Sequence, residues 1–277
     1  MATPQLEFDS DVEGRIYEYV ERRGSAAREE VRDAVRVERT HGAKPPRSGT
    51  ESAARLSVPE CNEYIDGLLD DGLLTERDGT LYVRPDADAE THDATDFEYV
   101  VRPADEDDRR AVAGLIREVA GEGAIVVDER VADAIEREGA LVRLNDRESR
   151  MFFVAEIEDD GERGEDDAER GEAEIIGWVH VHGFELPARD HTAELTVGVA
   201  PSTASRGRGT LLERGMAWAA EADCIKVYQS LPATNEEALE LLEEHDWERE
   251  ATRADHYRVD GELVDEVQLA TRLDGGR

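Results

Sequence analysis

Apolar residues recur at helical spacing through the first third of the chain. Residues 11–22 place Val12, Ile16, Tyr17 and Val20 on one face of a helix. Ser25 stands where the N-cap of a second helix, running to about Val35, is expected. Ser57, with Pro59 just behind it, opens a third helix, whose stripe is Tyr64, Ile65, Leu68 and Leu69. The run "GLLTERDGTLYVRP" then reads as two short strands joined by Asp78-Gly79, a hairpin signal. Residues 40–52 read as a long loop between the second and third helices. Residues 85–96, "PDADAETHDATD", hold no apolar period and many turn formers, and so predict a linker.

From residue 97 the pattern changes to alternating strands and helices. Strands are expected at 97–104, 150–158, 173–186, 191–200 and 224–232, and a closing strand pair around Asp260-Gly261. Helices are expected at 105–120, with Val112, Leu115, Ile116 and Val119 inward, and at 127–138, 205–221 and 234–245. Between two strands, "DDGERGEDDAERGE" is a solvated charge run. The order predicts a mixed α/β sheet rather than a purely parallel one. The domain organisation expected is 1–84, a linker at 85–96, and 97–277.

Charge changes the picture less than its size suggests. The formal net charge is -35 over 277 residues, and lysine occurs only at Lys44 and Lys226. The acidic bias runs along the whole chain while amphipathic periodicity persists beneath it. That combination predicts a haloarchaeal-type, salt-adapted protein, because concentrated salt shortens screening to a few ångströms and relieves self-repulsion. Cys61 and Cys224 lie far apart and suggest neither a disulfide framework nor a metal site. His180 and His182 share a strand face as a metal pair would, but no third ligand lies at sensible spacing, so no metal is expected. There is no basic region followed by an apolar run at the N-terminus, and no apolar segment long enough to span a bilayer. A cytoplasmic protein without membrane contact is expected.

The chemistry concentrates in "VGVAPSTASRGRGTLLERGMAWAAE", residues 197–221. A strand breaks at Pro201, passes through "SRGRGT" and becomes a helix. Amides at a helix start carry partial positive charge, glycines let a ligand approach the backbone, and arginines add charge-assisted hydrogen bonds. The turn therefore reads as a diphosphate cradle. It is not a Walker A loop, since no Gly-Lys-Ser/Thr follows, and its glycine spacing is not the dinucleotide fingerprint.

In this context the sequence resembles the Gcn5-related N-acetyltransferase superfamily. The family's Gln/Arg-x-x-Gly-x-Gly/Ala motif falls on residues 204–209, with Ala204 at the first position and Gly207 and Gly209 matching. A second segment, "PATNEEALELLEEHDWE", matches the family at Asn235, Ala238, Leu241, Glu243 and Trp247, with Leu242 where the family usually has Tyr. "YVVRPADEDD" is similar to the family's first strand and helix. The resemblance covers residues 97–274. It implies a mixed sheet splayed around acetyl-coenzyme A (acetyl-CoA) and direct acetyl transfer to an amine. It also implies that Val197, Gly198 and Val199 pair with the pantetheine arm, and that the Val199 amide polarises the thioester carbonyl. Ser205, Arg206, Gly207, Arg208, Gly209 and Thr210 would hold the diphosphate, and Asn235 would lie near the sulfur, although it is also placed to cap its helix. Glu194, on the strand face opposite Leu195 and Val197, is the candidate base. Tyr228 and Tyr257 are candidate acids.

The N-terminal pattern of three helices and a hairpin resembles a winged helix-turn-helix domain. Its third helix carries Glu60, Glu63, Asp66, Asp70 and Asp71, whereas phosphate binding calls for Lys and Arg, so DNA is only weakly indicated. Two functions follow: an acetyltransferase whose acceptor is a small-molecule or protein amine, or a transcription regulator with a DNA-binding winged helix and a non-catalytic acetyl-CoA-sensing domain. The sequence leaves the acceptor and the oligomeric state open.

Overall fold

A computed structural model of the chain describes residues 8–38, 53–85, 87–94, 97–121, 129–138, 140–144, 149–157, 174–183, 186–201 and 207–273. These fall into two compact units. One is built on residues 8–85 with Arg143–Leu144, the other on residues 87–142 and 149–273.

The first unit runs α1 (Asp11–Arg23), β1 (Ser25–Ala27), α2 (Arg28–Ala34), β2 (Arg36–Glu38), β3 (Ala53–Arg55), α3 (Val58–Asp70), β4 (Leu74–Arg77) and β5 (Thr80–Val83). Ser10 caps α1 by accepting from the Glu13 amide, and Gly24 ends it at a positive φ. Ser57 and Glu60 form a capping box on α3. Ile16, Val20, Val31, Ile65, Leu68 and Leu81 are buried together as its core. Asp78 and Gly79 both take positive φ, as a tight hairpin requires, and β1, β5 and β4 form a three-stranded sheet in that order. Arg28 ties the unit together, reaching Glu76 at 2.6 Å and Asp66 at 2.8 Å.

Ser25 does not cap the second helix. It lies in β1, paired with Tyr82, and Ala27 is the N-cap, its amide donating to Glu30. Strand pairing with β5 outweighs the local capping preference of a serine. The predicted loop at 40–52 falls outside the described residues, except that β2 and β3 pair at its two ends.

The second unit runs β6 (Glu90–Asp93), β7 (Glu98–Pro103), α4 (Arg109–Gly121), α5 (Glu129–Glu138), β9 (Ser149–Ile157), β10 (Glu174–Gly183), β11 (Thr192–Val199), α6 (Arg208–Glu221), β12 (Lys226–Pro232), α7 (Glu236–Glu244), β13 (Glu248–Val259) and β14 (Glu262–Arg272), β8 (Arg143–Leu144) being counted with the first. Its sheet has the order β13-β14-β12-β11-β10-β9-β7-β6. All neighbours are antiparallel except β11 and β12, which are parallel. The expected mixed sheet is present.

The stretch 85–96, expected as linker, contains β6, which pairs with β7 at the edge of the sheet. Edge pairing uses backbone groups alone, so a strand with exposed acidic side chains leaves no hydrophobic signature and also discourages further pairing. Helix α4 starts at Arg109 rather than 105. Before it, Asp108 accepts from the Asp105 amide and Asp105 from the Asp107 amide, so side-chain carboxylates hold a turn in place of a first helical turn.

Alternation gives the sheet two chemically different faces. Along β11, Ala193, Leu195, Val197 and Val199 share one face. Helix α6 covers it, with Gly215 packed so closely on Val179 and Leu195 that an added Cβ would meet them at 2.7 and 3.0 Å. The opposite face carries Arg150, His180, His182, Glu194, Thr196 and Tyr228.

Candidate active site

Strands β11 and β12 pair over three rungs only: Thr192 with Lys226, Ala193 with Val227 and Glu194 with Tyr228. Beyond Glu194, β11 stays with β10 as far as Val199, and β12 stays with β14 as far as Pro232. Each strand keeps its outer partner, so the inner edges part into a wedge whose vertex is the Glu194–Tyr228 rung. The Ala200 amide donates to the Ile176 carbonyl at 2.7 Å, which fixes the antiparallel phase. By alternation the amides of Val197 and Val199 then face the wedge, whereas that of Gly198 faces β10. Gly198 lines the cleft with Val197 and Val199, its own amide turned toward β10. Its part is steric, because Trp178 of β10 lies where its side chain would be.

The wedge opens into a cleft of about 430 Å³ that includes the solvent open to it. Val197, Val199, Arg208 and Leu212 line one side. Gln229, Leu231, Asn235, Ala238, Leu241 and Leu242 line the other. An unpaired strand edge beside an apolar groove accommodates an extended chain bearing amides.

At the start of α6, Gly207 is the N-cap in the left-handed conformation at φ 82°, with no side chain capping the helix. Glycine takes that conformation without strain. The ring of Tyr99 would lie 3.4 Å from a Cβ added at Gly207, and its hydroxyl meets Thr210 Oγ1 at 2.9 Å. The amides of the first turn have no intrahelical acceptor and carry the helix's partial positive charge. Arg208 Nη1 lies 3.2 Å from Glu237 Oε1 on α7. Ser205 and Arg206 lie outside the described residues.

The three candidate proton carriers come together. Glu194 sits beside Tyr228 in the register. The Tyr228 hydroxyl accepts from Arg189 at 2.8 Å, and its pKa is pushed up to about 12, first by burial and then by the Glu194 charge. Tyr257 is also pushed up, by burial, a hydrogen bond to Glu266 and the charges of Glu266 and Glu194. On β13 a bulge between Arg253 and Tyr257 brings Arg253 to 2.9 Å and His256 to 3.1 Å from the buried Glu266 carboxylate. Asn235 does cap its helix, Oδ1 accepting from the Ala238 amide at 3.1 Å, and it lines the cleft as well.

Sequence reasoning missed the far wall of the cleft. Ala238, Leu241 and Leu242 stand at helical spacing on α7, which marked them as one face but not as a ligand wall. Glu237 as the partner of Arg208 had no sequence signal. Among the described residues, no group of three or more His, Cys, Asp or Glu is arranged to hold a metal ion.

The sheet is thus splayed between β11 and β12, with the cleft at the opening. Residues 125–247 match the acetyltransferase (GNAT) family, whose members use acetyl-CoA. Several solved structures are similar to the chain. A protein named as a phosphinothricin N-acetyltransferase is 19% identical with TM-score 0.50, over 64% of this chain and 99% of that one. The yncA protein of Salmonella typhimurium, with acetyl-CoA, is 18% identical with TM-score 0.49, over 65% and 96%. Spermidine N-acetyltransferase of Vibrio cholerae, with CoA and spermine, is 17% identical with TM-score 0.46, over 64% and 96%. No curated protein matches the chain in sequence.

Proposed function

We propose that the chain transfers an acetyl group from acetyl-CoA to a primary amine by direct attack. The observation that carries this is the wedge, which runs from an amide-lined strand edge and a helix N-terminus at its mouth to a carboxylate at its vertex. Acetyl-CoA supplies an activated acyl carbon on a thiol leaving group. The chain's residues fit it. The edge amides of Val197 and Val199 suit the pantetheine arm, and the first turn of α6 with Arg208 suits the diphosphate. The Val199 amide is positioned to stabilise negative charge on the carbonyl oxygen. The acceptor nitrogen bonds to the carbonyl carbon, the C–S bond breaks, sulfur leaves with the electron pair, and nitrogen loses a proton to Glu194.

Glu194 lies five residues back from Val199, about 16 Å of extended strand. Even a glutamate side chain spans only part of that, so the proton travels to Glu194 through water. Leu242, 2% exposed, offers no hydroxyl where the family has Tyr. Tyr228 and Tyr257 are the candidate proton sources for the thiolate, and Tyr228, which shares the Glu194 rung, delivers its proton through the same water; burial raises both pKa values and keeps both protonated at neutral pH.

The acceptor class spans small-molecule and protein amines, polyamines among them. The N-terminal unit, with sheet order β1-β5-β4 and α3 ahead of the hairpin, is a winged-helix-like module. The exposed face of α3 is acidic, at Glu60, Glu63, Asp66 and Asp70, which favours protein or substrate docking over DNA. Leu242 favours a second reading, a regulator that binds acetyl-CoA without turning it over.

Calorimetry of acetyl-CoA in molar KCl tests the reading, with Arg206→Ala/Arg208→Ala as control. Micromolar binding lost in the double variant supports the cradle, and absence of binding by the wild type removes the transferase reading. Acetyl-CoA turnover with spermidine and other amines separates enzyme from sensor.

A further inference from the structure

The row that carries Glu194 continues on its other side. In the antiparallel register of β10 and β11, His182 is the direct partner of Glu194, and Arg150 of β9 is the direct partner of His182. Direct partners share a face, with Cβ atoms about 4.5–5.5 Å apart. Arg150, His182, Glu194 and Tyr228 therefore form one line across four neighbouring strands, ending at the vertex of the wedge.

The members of the line differ in what they can do with a proton. Arg150 is 3% exposed and permanently charged, its guanidinium donating to the Leu141 carbonyl at 3.2 Å and the Ala140 carbonyl at 2.8 Å. Tyr228 keeps its proton at neutral pH. His180, next on the same face, is buried and stacked on Phe152 with ring centroids 4.4 Å apart, which holds it neutral. Among these, the half-buried His182, its ring 5.8 Å from that of His180, combines a direct carboxylate neighbour with an imidazole, a side chain able both to accept and to release a proton.

We infer that His182 and Glu194 form one proton-accepting pair, in which His182 takes over the proton that leaves the acceptor nitrogen. This deepens the transferase reading and rests on Glu194 being its base. Nitrogen loses the proton as its bond to the acyl carbon forms, Glu194 receives it through water, and the imidazole ring nitrogen accepts it from the carboxyl group. Glu194 is thereby returned to its anionic form for the next turnover. Among the described residues, the charged and titratable groups facing His182 are Glu194 from β11, Arg150 from β9 and His180 of its own strand. Glu194 favours the protonated ring and Arg150 opposes it. His182 is a positioning residue for the proton rather than a group that touches the reacting atoms.

The test needs no acceptor. Full-length protein labelled with ¹⁵N-histidine is titrated by NMR in molar KCl, with the His182 signal assigned by loss in His182→Asn. Glu194→Gln lowers the His182 midpoint by about one unit or more, as expected for loss of an adjacent opposite charge, while the exposed His191 stays in place. A His182 midpoint unchanged by Glu194→Gln, or a ring that does not titrate, overturns the pair. Should Glu194→Gln fail to fold, the same coupling is read from the Glu194 carboxyl carbon in His182→Asn, whose midpoint then rises, and an unmoved midpoint is again fatal. Acetyl-CoA calorimetry on the same samples separates this outcome from that of the transferase reading, because cleft binding survives the loss of the pair.

Discussion

The indole of Trp178 occupies the space a side chain would need at Gly198, its direct partner across β10 and β11. A glycine inside a strand ordinarily weakens it. Here it admits a ring that is 1% exposed and packs against the strand bordering the wedge. Gly198→Ala is expected to destabilise the protein by about 1–3 kcal/mol through overpacking. Trp178→Leu in the Gly198→Ala background should recover part of that loss, read as a non-additive double-mutant cycle in denaturant titrations at fixed KCl.

Arg208 is held by Glu237 across the cleft mouth. Removing Arg208 should weaken acetyl-CoA binding by about ten- to a hundredfold, the worth of hydrogen bonds to a charged group. Glu237 is 64% exposed, so its hold on Arg208 is modest. Glu237→Gln should therefore tighten binding by no more than about fivefold, the range of an exposed ion pair. Calorimetry of both variants reads the two effects, and weaker binding in Glu237→Gln would contradict the competition.

Glu194→Gln should leave acetyl-CoA affinity nearly unchanged and lower turnover by about 10²–10⁴-fold, the usual worth of a general base. The same substitution should lower the Tyr228 midpoint from about 12, since a neighbouring anion disfavours the phenolate. Burial is the larger cause and persists, so the midpoint stays above the ordinary tyrosine value. Ultraviolet titration of wild type, Tyr228→Phe and Glu194→Gln isolates the shift.

His180 is held neutral in the folded state by burial and by the nearby charges of His182 and Arg150, its pKa well below the ordinary histidine range. In the unfolded chain it takes up a proton near pH 6.5. The unfolded state thus binds more protons below that pH, and stability falls as pH falls through it, by at most about 1.4 kcal/mol per unit for this one group. Among the described residues Nε2 has no hydrogen-bond partner, so His180→Phe should remove this contribution at little cost at neutral pH. Unfolding midpoints against pH, for wild type and His180→Phe, measure the difference.

The sequence made the strands and helices of the second unit legible because its apolar positions keep a period of two or 3.6 beneath the acidic surface. The face on which Glu194 lies and the glycine turn that opens α6 were legible for the same reason. Pairing was not. That Glu194 stands between His182 and Tyr228 depends on which strands are neighbours and in what phase, and no local pattern carries that. Edge strand β6 went unseen because it buries no apolar face, and the bulge before Tyr257 because its residues read as an ordinary strand. The role of Gly198 was hidden in Trp178, twenty positions earlier.

The two-faced alternation of β11 makes that strand a reading frame of period two. Odd positions speak to the core beneath α6, and even positions to the row of Arg150, His182, Glu194 and Tyr228 across the sheet. Losing one residue between Ala193 and Val199 would put the two vocabularies out of step, sending valines toward the polar face and polar groups into the core. Insertions and deletions are therefore intolerable here even where individual substitutions are mild, and the strand's length is as much a part of the chemistry as the glutamate it carries.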